Sequence, residues 1–145
     1  MLVSDYMKAN PLTVTGRTPV EYAAGLMRRH QVFQLPVIDE SGHLVGIVTD
    51  RDIRSAAGND DRLMVNLVVS EIMTADVITV SPADDLRIAL DLLWRQRIGG
   101  LPVVQKDVVV GIITVRDMLR CLRDQFEMPS IIQEAKGSRA LADIF

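Results

Sequence analysis

The chain has 145 residues, of which 48% are hydrophobic, 24% charged and only 4% aromatic, with a net charge of −3 and a pI near 5.3. A chain of this length buries a working core without disulfides or metal, and an acidic balance with no run of Lys or Arg excludes broad electrostatic binding to nucleic acid or anionic membrane. A single cysteine, Cys121, excludes an intramolecular disulfide and a Cys-rich metal site, and the start "MLVSDYMKAN" has no signal-peptide pattern, so a cytoplasmic protein with no membrane segment is expected.

In chain order, a short β-prone segment at 12–15 leads into a helix, with Thr18 as N-cap, Pro19 at the first helical position and Glu21 completing a capping box. Val20, Ala23, Ala24 and Met27 form its apolar stripe. Strands are expected at 35–38 and 44–48, joined by a Gly-containing turn as an antiparallel hairpin, and a helix starts near Asp50. The polar stretch "AAGNDDR" reads as a linker, and "LMVNLVV" after it is apolar enough to be a packed lead-in. The same grammar then returns. A β-prone segment lies at 77–80, Asp84 is the expected cap, and Leu86, Ala89, Leu90 and Leu93 form the stripe. Strands follow at 101–104 and 108–113, and a last helix starts near Val115. The tail beyond Arg123 carries two apolar clusters, Ile131-Ile132 and 141–145, suited to docking on this chain or a partner.

The return is a repeat. At one constant offset Val3, Ser4 and Met7 meet Val69, Ser70 and Met73, and "QLPVI" lies over "GLPVV"; after the next turn, one residue shorter in the second copy, Val45 meets Val110. Each copy reads β-α-β-β-α, too small to be comfortable alone, so an α/β (α+β) fold of two units packed sheet to sheet with helices outside is expected. The expected boundaries are 1–57 for the first unit, 58–68 for the linker, 69–124 for the second unit and 125–145 for the tail.

Within the repeat, "GIVTDRD" (46–52) and "GIITVRD" (111–117) are nearly identical. Thr49 with Asp52, and Thr114 with Asp117, fit a capping box. Caps have many acceptable spellings, however, and both copies keep Gly, Ile, Thr, Arg and Asp together. A nucleoside phosphate supplies a further reason. A carboxylate accepts from two vicinal ribose hydroxyls, the threonine hydroxyl and helix N-terminus face an anion, and Arg51 or Arg116 meets phosphate charge. The strand glycine permits close approach of another group, and branched strand residues form a slot for adenine.

Two units with "LPVV"-like and "G-h-h-T-x-R-D" segments (h apolar), each introduced by "VSDYM...PLTV" or "VSEIM...VITV", resemble a tandem pair of cystathionine-β-synthase (CBS) domains, the Bateman module. The likeness covers residues 3–124 and is strongest to the bacterial acetoin-utilisation type. It implies a regulatory, non-catalytic adenosyl-ligand sensor with composite sites about a pseudo-twofold axis. One implied site joins Ile112, Thr114, Arg116 and Asp117 to Asn10, Pro11, Leu12, Phe33 and Gln34. The other joins Ile47, Thr49, Arg51 and Asp52 to Ala75, Val77, Ile78, Gly99 and Gly100. Because Phe33-Gln34 corresponds to Gly99-Gly100, unequal affinities are expected. The implied ligands are AMP, ADP or ATP, or alternatively S-adenosylmethionine or NAD; no cofactor is required.

The remaining features are read as structural. His30 and His43 lie outside ligand spacing, Cys121 has no activating His nearby in sequence, and no Ser-His-Asp order, P-loop or metal cluster appears. The seven methionines fall mostly on helical stripes and read as core. Trp94, where the first copy has Arg28, marks an association surface if exposed. The family implies a homodimer through helices, with an effector protein as a further partner. The alternative reading is a protein-interaction module whose nucleotide clefts are vestigial, the two heptapeptides then being caps only.

Overall fold

The computed structural model describes residues 1–58 and 66–126. Most of the "AAGNDDR" linker and all of the tail beyond residue 126 lie outside the described residues. In order, the elements are α1 (Val3–Tyr6), β1 (Lys8–Ala9), α2 (Val20–His30), β2 (Gln34–Ile38), β3 (Leu44–Thr49), α3 (Asp50–Ala57), a 3-10 turn (Val69–Glu71), α4 (Leu86–Gln96), β4 (Gly100–Gln105), β5 (Val108–Thr114) and α5 (Val115–Gln125). The fold is α+β. β2 and β3 form an antiparallel hairpin, and β4 and β5 form its counterpart, to which β1 adds as a third strand.

The two hairpins turn differently. In the first, the Asp39 carboxylate accepts from the Ser41 and His43 amides, and Gly42 takes φ +83°. In the second, Lys106 and Asp107 both take positive φ, as a tight two-residue turn requires. That difference is the one-residue change in the repeat offset.

The segments at 12–15 and 77–80 do not become ladder strands; each makes a single parallel bridge, Val14 to Val37 and Val80 to Val103. Proline is the cause. Val14 N donates to Pro36 O, and Ile38 N donates to Val14 O; the next bond of a parallel ladder would run from the Pro36 nitrogen to Leu12 O, and proline has no N–H. Pro102 ends the second bridge in the same way, leaving Ile78 O without that donor. The prolines face away from the hairpin ladders, so β2 and β4 remain intact.

The expected helix caps shift by one residue. Pro19, not Thr18, is the N-cap of α2, and Thr18 Oγ1 accepts from the Thr15 amide, so the Thr18/Glu21 box does not form. In the second copy Asp84 accepts from the Ser81 amide, while the neighbouring Asp85 caps α4 by accepting from Arg87 N. Thr18 and Asp84 thus close the turn before the helix. Leu90, placed on the buried stripe of α4, is 51% exposed, whereas Leu86, Ala89 and Leu93 are buried.

Two cores form, and each takes a segment from the opposite copy. The first contains Val14, Val20, Ala23, Met27, Leu35, Val37, Val48 and Ile53, joined by Val69. The second contains Val80, Leu86, Ala89, Leu93, Leu101, Val103 and Ile113, joined by Val3. Matching hydrogen bonds hold the exchange: Val3 N to Asp84 O and Ser4 N to Pro82 O on one side, Val69 N to Thr18 O and Ser70 N to Gly16 O on the other. The lead-ins then cross the opposite hairpin, where Lys8 pairs with Ile112 and Thr74 bridges Ile47. Neither core is complete without the other copy.

Candidate functional site

The exchange builds two clefts, each lined by the strand-to-helix junction of one copy and the lead-in of the other. At each junction the capping box forms. Thr49 Oγ1 accepts from Asp52 N at 3.1 Å while Asp52 Oδ2 accepts from Thr49 N at 2.9 Å; Thr114 and Asp117 repeat this at 3.3 and 2.9 Å. Asp50 N and Val115 N donate to Phe33 O and Gly99 O, which ties each helix start to the residue just before the first strand of its own hairpin.

The first cleft has a volume of about 610 Å³, within the range of small-molecule sites. It gathers Ile47, Thr49, Arg51, Asp52, Val77, Ile78, Gly99 and Gly100; Ala75 is not on its lining, and Phe33 and Gln34 enter from the other set. Its further polar residues are Asp50, Arg54, Thr74, Asp76 and Arg97. Asp50 and Arg54 pair at 3.3 Å. Among the described residues, the Asp52 carboxylate has one partner, the Thr49 amide, which bonds Oδ2, and Asp52 lines the cleft.

The second cleft, about 600 Å³, gathers Asn10, Pro11, Leu12, Phe33, Gln34, Ile112, Thr114 and Arg116, with Lys8, Val115 and Leu119 added. Asp117 does not line it. Its side chain is 2% exposed, Oδ2 accepts from both Thr114 N and Thr114 Oγ1 at 2.9 Å, and Oδ1 lies 3.2 Å from Lys8 Nζ and 3.7 Å from Arg120. A smaller adjoining pocket of about 340 Å³ holds Asp117 with Lys8, Arg116, Arg120 and Arg123. The two junctions share a sequence pattern but present their carboxylates differently.

Phe33, Gln34 and Gly99 form the wall common to both clefts. Gln34 lies across the Gly99-Gly100 backbone, and a Cβ on Gly100 would stand 3.0 Å from its Cδ. The glycine pair therefore receives the bulk that the first copy presents. Phe33 is 63% exposed on this wall.

The residues sequence reasoning passed over are those without a repeated signature. Arg97 and Gln31 sit at the same left-handed C-cap of α4 and α2, and each reaches one cleft only because the chain reverses there. Lys8 stands where the first cleft has Thr74, a difference visible once the copies are aligned.

No described group of three or more His, Cys, Asp or Glu is placed to hold a metal, and no described helix is long and apolar enough to cross a membrane. Trp94 is 82% exposed. Beside its helix, an apolar groove of about 480 Å³ runs between α4 and α5, bordered by Met1, Leu86, Leu90, Val115, Met118, Cys121 and Leu122.

Comparison with known proteins agrees with this architecture. The structure is similar to an acetoin utilization protein (AcuB) of Vibrio cholerae, with a TM-score of 0.80 and 32% identity over 90% of this chain and 96% of that one. It is also similar to the CBS domain pair of protein MJ0100 in complex with 5′-methylthioadenosine and S-adenosyl-L-methionine, with a TM-score of 0.77 and 32% identity over 84% and 99% of the two chains. CBSX2 in complex with AMP gives a TM-score of 0.76 and 30% identity over 85% and 96%. Some curated relatives are far longer: the chain is 40% identical over 79% of its length to a homoserine O-acetyltransferase of Methanocorpusculum labreanum, of which it spans 23%. The CBS domain model matches residues 3–59 and again 69–124, so the chain belongs to the CBS-domain family as a tandem pair.

Proposed function

We propose that this CBS pair is a regulatory, non-catalytic module that binds an adenosyl ligand, with the first cleft as its principal site. The observation that carries the reading is the Asp52 carboxylate, oriented by the Thr49 amide and open to a cleft of nucleotide size. A carboxylate so held accepts from both hydroxyls of a ribose. Arg51, Arg54 and Arg97 supply charge for a phosphate, and Ile47, Val77 and Ile78 supply an apolar slot for a base. The Ile78 carbonyl, which Pro102 leaves without a ladder donor, is an acceptor for the exocyclic amino group of adenine. Similar CBS pairs bound to 5′-methylthioadenosine, S-adenosyl-L-methionine and AMP support the same ligand class.

Ligand acts by favouring one packing of the two units over another, which requires different affinity for the two arrangements. The exchanged lead-ins make this coupling direct, because each cleft is bounded by both copies. A cytoplasmic setting and an effector protein that reads the change complete the proposal.

The test is calorimetric titration with AMP, ADP, ATP, NAD and S-adenosylmethionine, on the wild type and on Asp52→Ala. Saturable binding that the substitution abolishes supports the reading. Absence of binding by every ligand, in protein shown to be folded, overturns it.

A second property is favoured by the groove between α4 and α5. Leu90 and Leu122 are about half exposed there, whereas their counterparts in the first copy are Ala24 and Ala57. A twofold axis sets the same patch of two subunits against each other, so an exposed apolar face on the second copy would be buried against its own counterpart, and we infer a homodimer through it.

A further inference from the structure

Lys8 and Thr74 occupy equivalent places in the two clefts, each on a lead-in that crosses the opposite hairpin beside the capped aspartate. Thr74 is short and bears no charge. Lys8 is long enough to reach Asp117, and its ammonium lies 3.2 Å from Oδ1. We infer that Lys8 closes the second cleft to nucleosides, so that the chain has one adenosyl site and not two. The inference rests on the ligand class proposed above and adds which cleft is used and which residue decides it.

Acceptors that are already satisfied leave a diol nothing to bind. A ribose diol binds a carboxylate by donating to lone pairs that nothing else occupies. At Asp117, Oδ2 already takes two bonds from Thr114, through its amide and its hydroxyl, and Oδ1 faces Lys8 with Arg120 behind it. Asp117 is also 1% exposed, so a diol would have to displace the ammonium that faces Oδ1 of a buried anion. At Asp52 the corresponding hydroxyl, Thr49 Oγ1, makes no bond to the carboxylate, and among the described residues no cation pairs with it, Arg54 being paired with Asp50. Nearly identical heptapeptides thus give one open and one closed carboxylate, and the residue that separates them lies outside both.

Lys8 holds the cleft closed from the surface. Its side chain is 56% exposed and runs inward from β1. The rest of the second cleft, including Leu12, Phe33 and Ile112, is formed and roomy. Removing the ammonium therefore opens an existing site.

The experiment is the stoichiometry of 5′-methylthioadenosine and of AMP binding, by calorimetry, to the wild type, Lys8→Thr, Lys8→Arg and Lys8→Thr combined with Asp117→Ala, each shown folded by circular dichroism. 5′-Methylthioadenosine has no phosphate to attract a lysine, so it isolates the ribose contact. The expected result is one ligand per chain for the wild type and for Lys8→Arg, two for Lys8→Thr, and a return to one when Asp117 is also removed. The inference is overturned if Lys8→Thr gains no site over its parent, if the wild type already binds two, or if Lys8→Thr weakens AMP binding while leaving the count unchanged, which would make Lys8 a phosphate ligand. Failure of the wild type to bind at Asp52 overturns the proposed function instead, and the gain or absence of a site in Lys8→Thr still decides the role of Lys8.

Discussion

Met7 lies against Gly111 so closely that a Cβ on the glycine would fall 2.6 Å from the Met7 sulfur and 3.0 Å from the Lys8 carbonyl oxygen. Met73 and Thr74 stand over Gly46 in the same way, at 2.5 and 3.0 Å. The glycine that opens each heptapeptide is thus the crossing point of the exchanged lead-ins, where a backbone passes over a backbone. Gly46→Ala and Gly111→Ala should each destabilise the protein by about 1–3 kcal/mol, because the backbone oxygen cannot give way as a side chain can. Gly25, inside α2, has nothing within 4 Å of a new Cβ, so Gly25→Ala should stabilise by about 0.5–1 kcal/mol. Thermal unfolding of the three variants checks the contrast, and equal effects at all three positions would remove the crossing as the reason for the glycines.

That crossing shows where sequence reading stops. The hairpins, the capping boxes at Thr49 and Thr114 and, Leu90 apart, the helical stripes are local patterns, and the structure contains them. The exchange of Val3 and Val69 is not local. A lead-in and its counterpart are so alike that either would fill either core, and only chain geometry decides which does. The missing strands at 12–15 and 77–80 were legible in principle, since Pro36 and Pro102 lack the donors a longer parallel ladder needs. Lys8 stands out from Thr74 once the copies are aligned, but its role does not, because its partner Asp117 lies at the other end of the described chain. A near-identical motif conceals an inequality that only its neighbours create.

The two capped aspartates should differ in stability as they differ in burial. Asp117 accepts both donors of the buried Thr114 and faces Lys8; removing it leaves those donors without an acceptor. Asp117→Ala should therefore cost about 2–3 kcal/mol, toward the upper end for a lost buried acceptor. Asp52→Ala removes one bond from a half-buried box and should cost about 1 kcal/mol. Urea unfolding of both variants measures the difference, and the reverse order would mean that the two boxes are not held as described.

Acid should weaken the start of α4. Two hydrogen bonds from the Arg87 side chain, at 3.0 and 2.7 Å, hold the Asp85 carboxyl well below the usual carboxylate range, and the Arg87 amide adds to this. A depressed carboxylate contributes stability that is complete above its unfolded value, about pH 4, and is lost as pH falls through the folded value. The melting temperature of the wild type should therefore fall more steeply below pH 4 than that of Arg87→Met, in which the pair is absent. Parallel curves for the two proteins would show that the pair adds nothing to the pH dependence.

The apolar groove between α4 and α5 supplies the last expectation. A second copy that seats Leu90 and Leu122 against their own counterparts removes them from water without needing a complementary surface elsewhere on the molecule. Leu122→Glu places a carboxylate in the middle of that face, and a twofold axis brings two such charges together, so the substitution opposes association twice over. Leu122 lines neither cleft, so adenosyl-ligand binding per chain should be unchanged. Sedimentation velocity should show a dimer for the wild type and a monomer for Leu122→Glu at the same concentration. A variant that stays dimeric would place the interface elsewhere, with the exposed Trp94 on α4 as the next position to substitute.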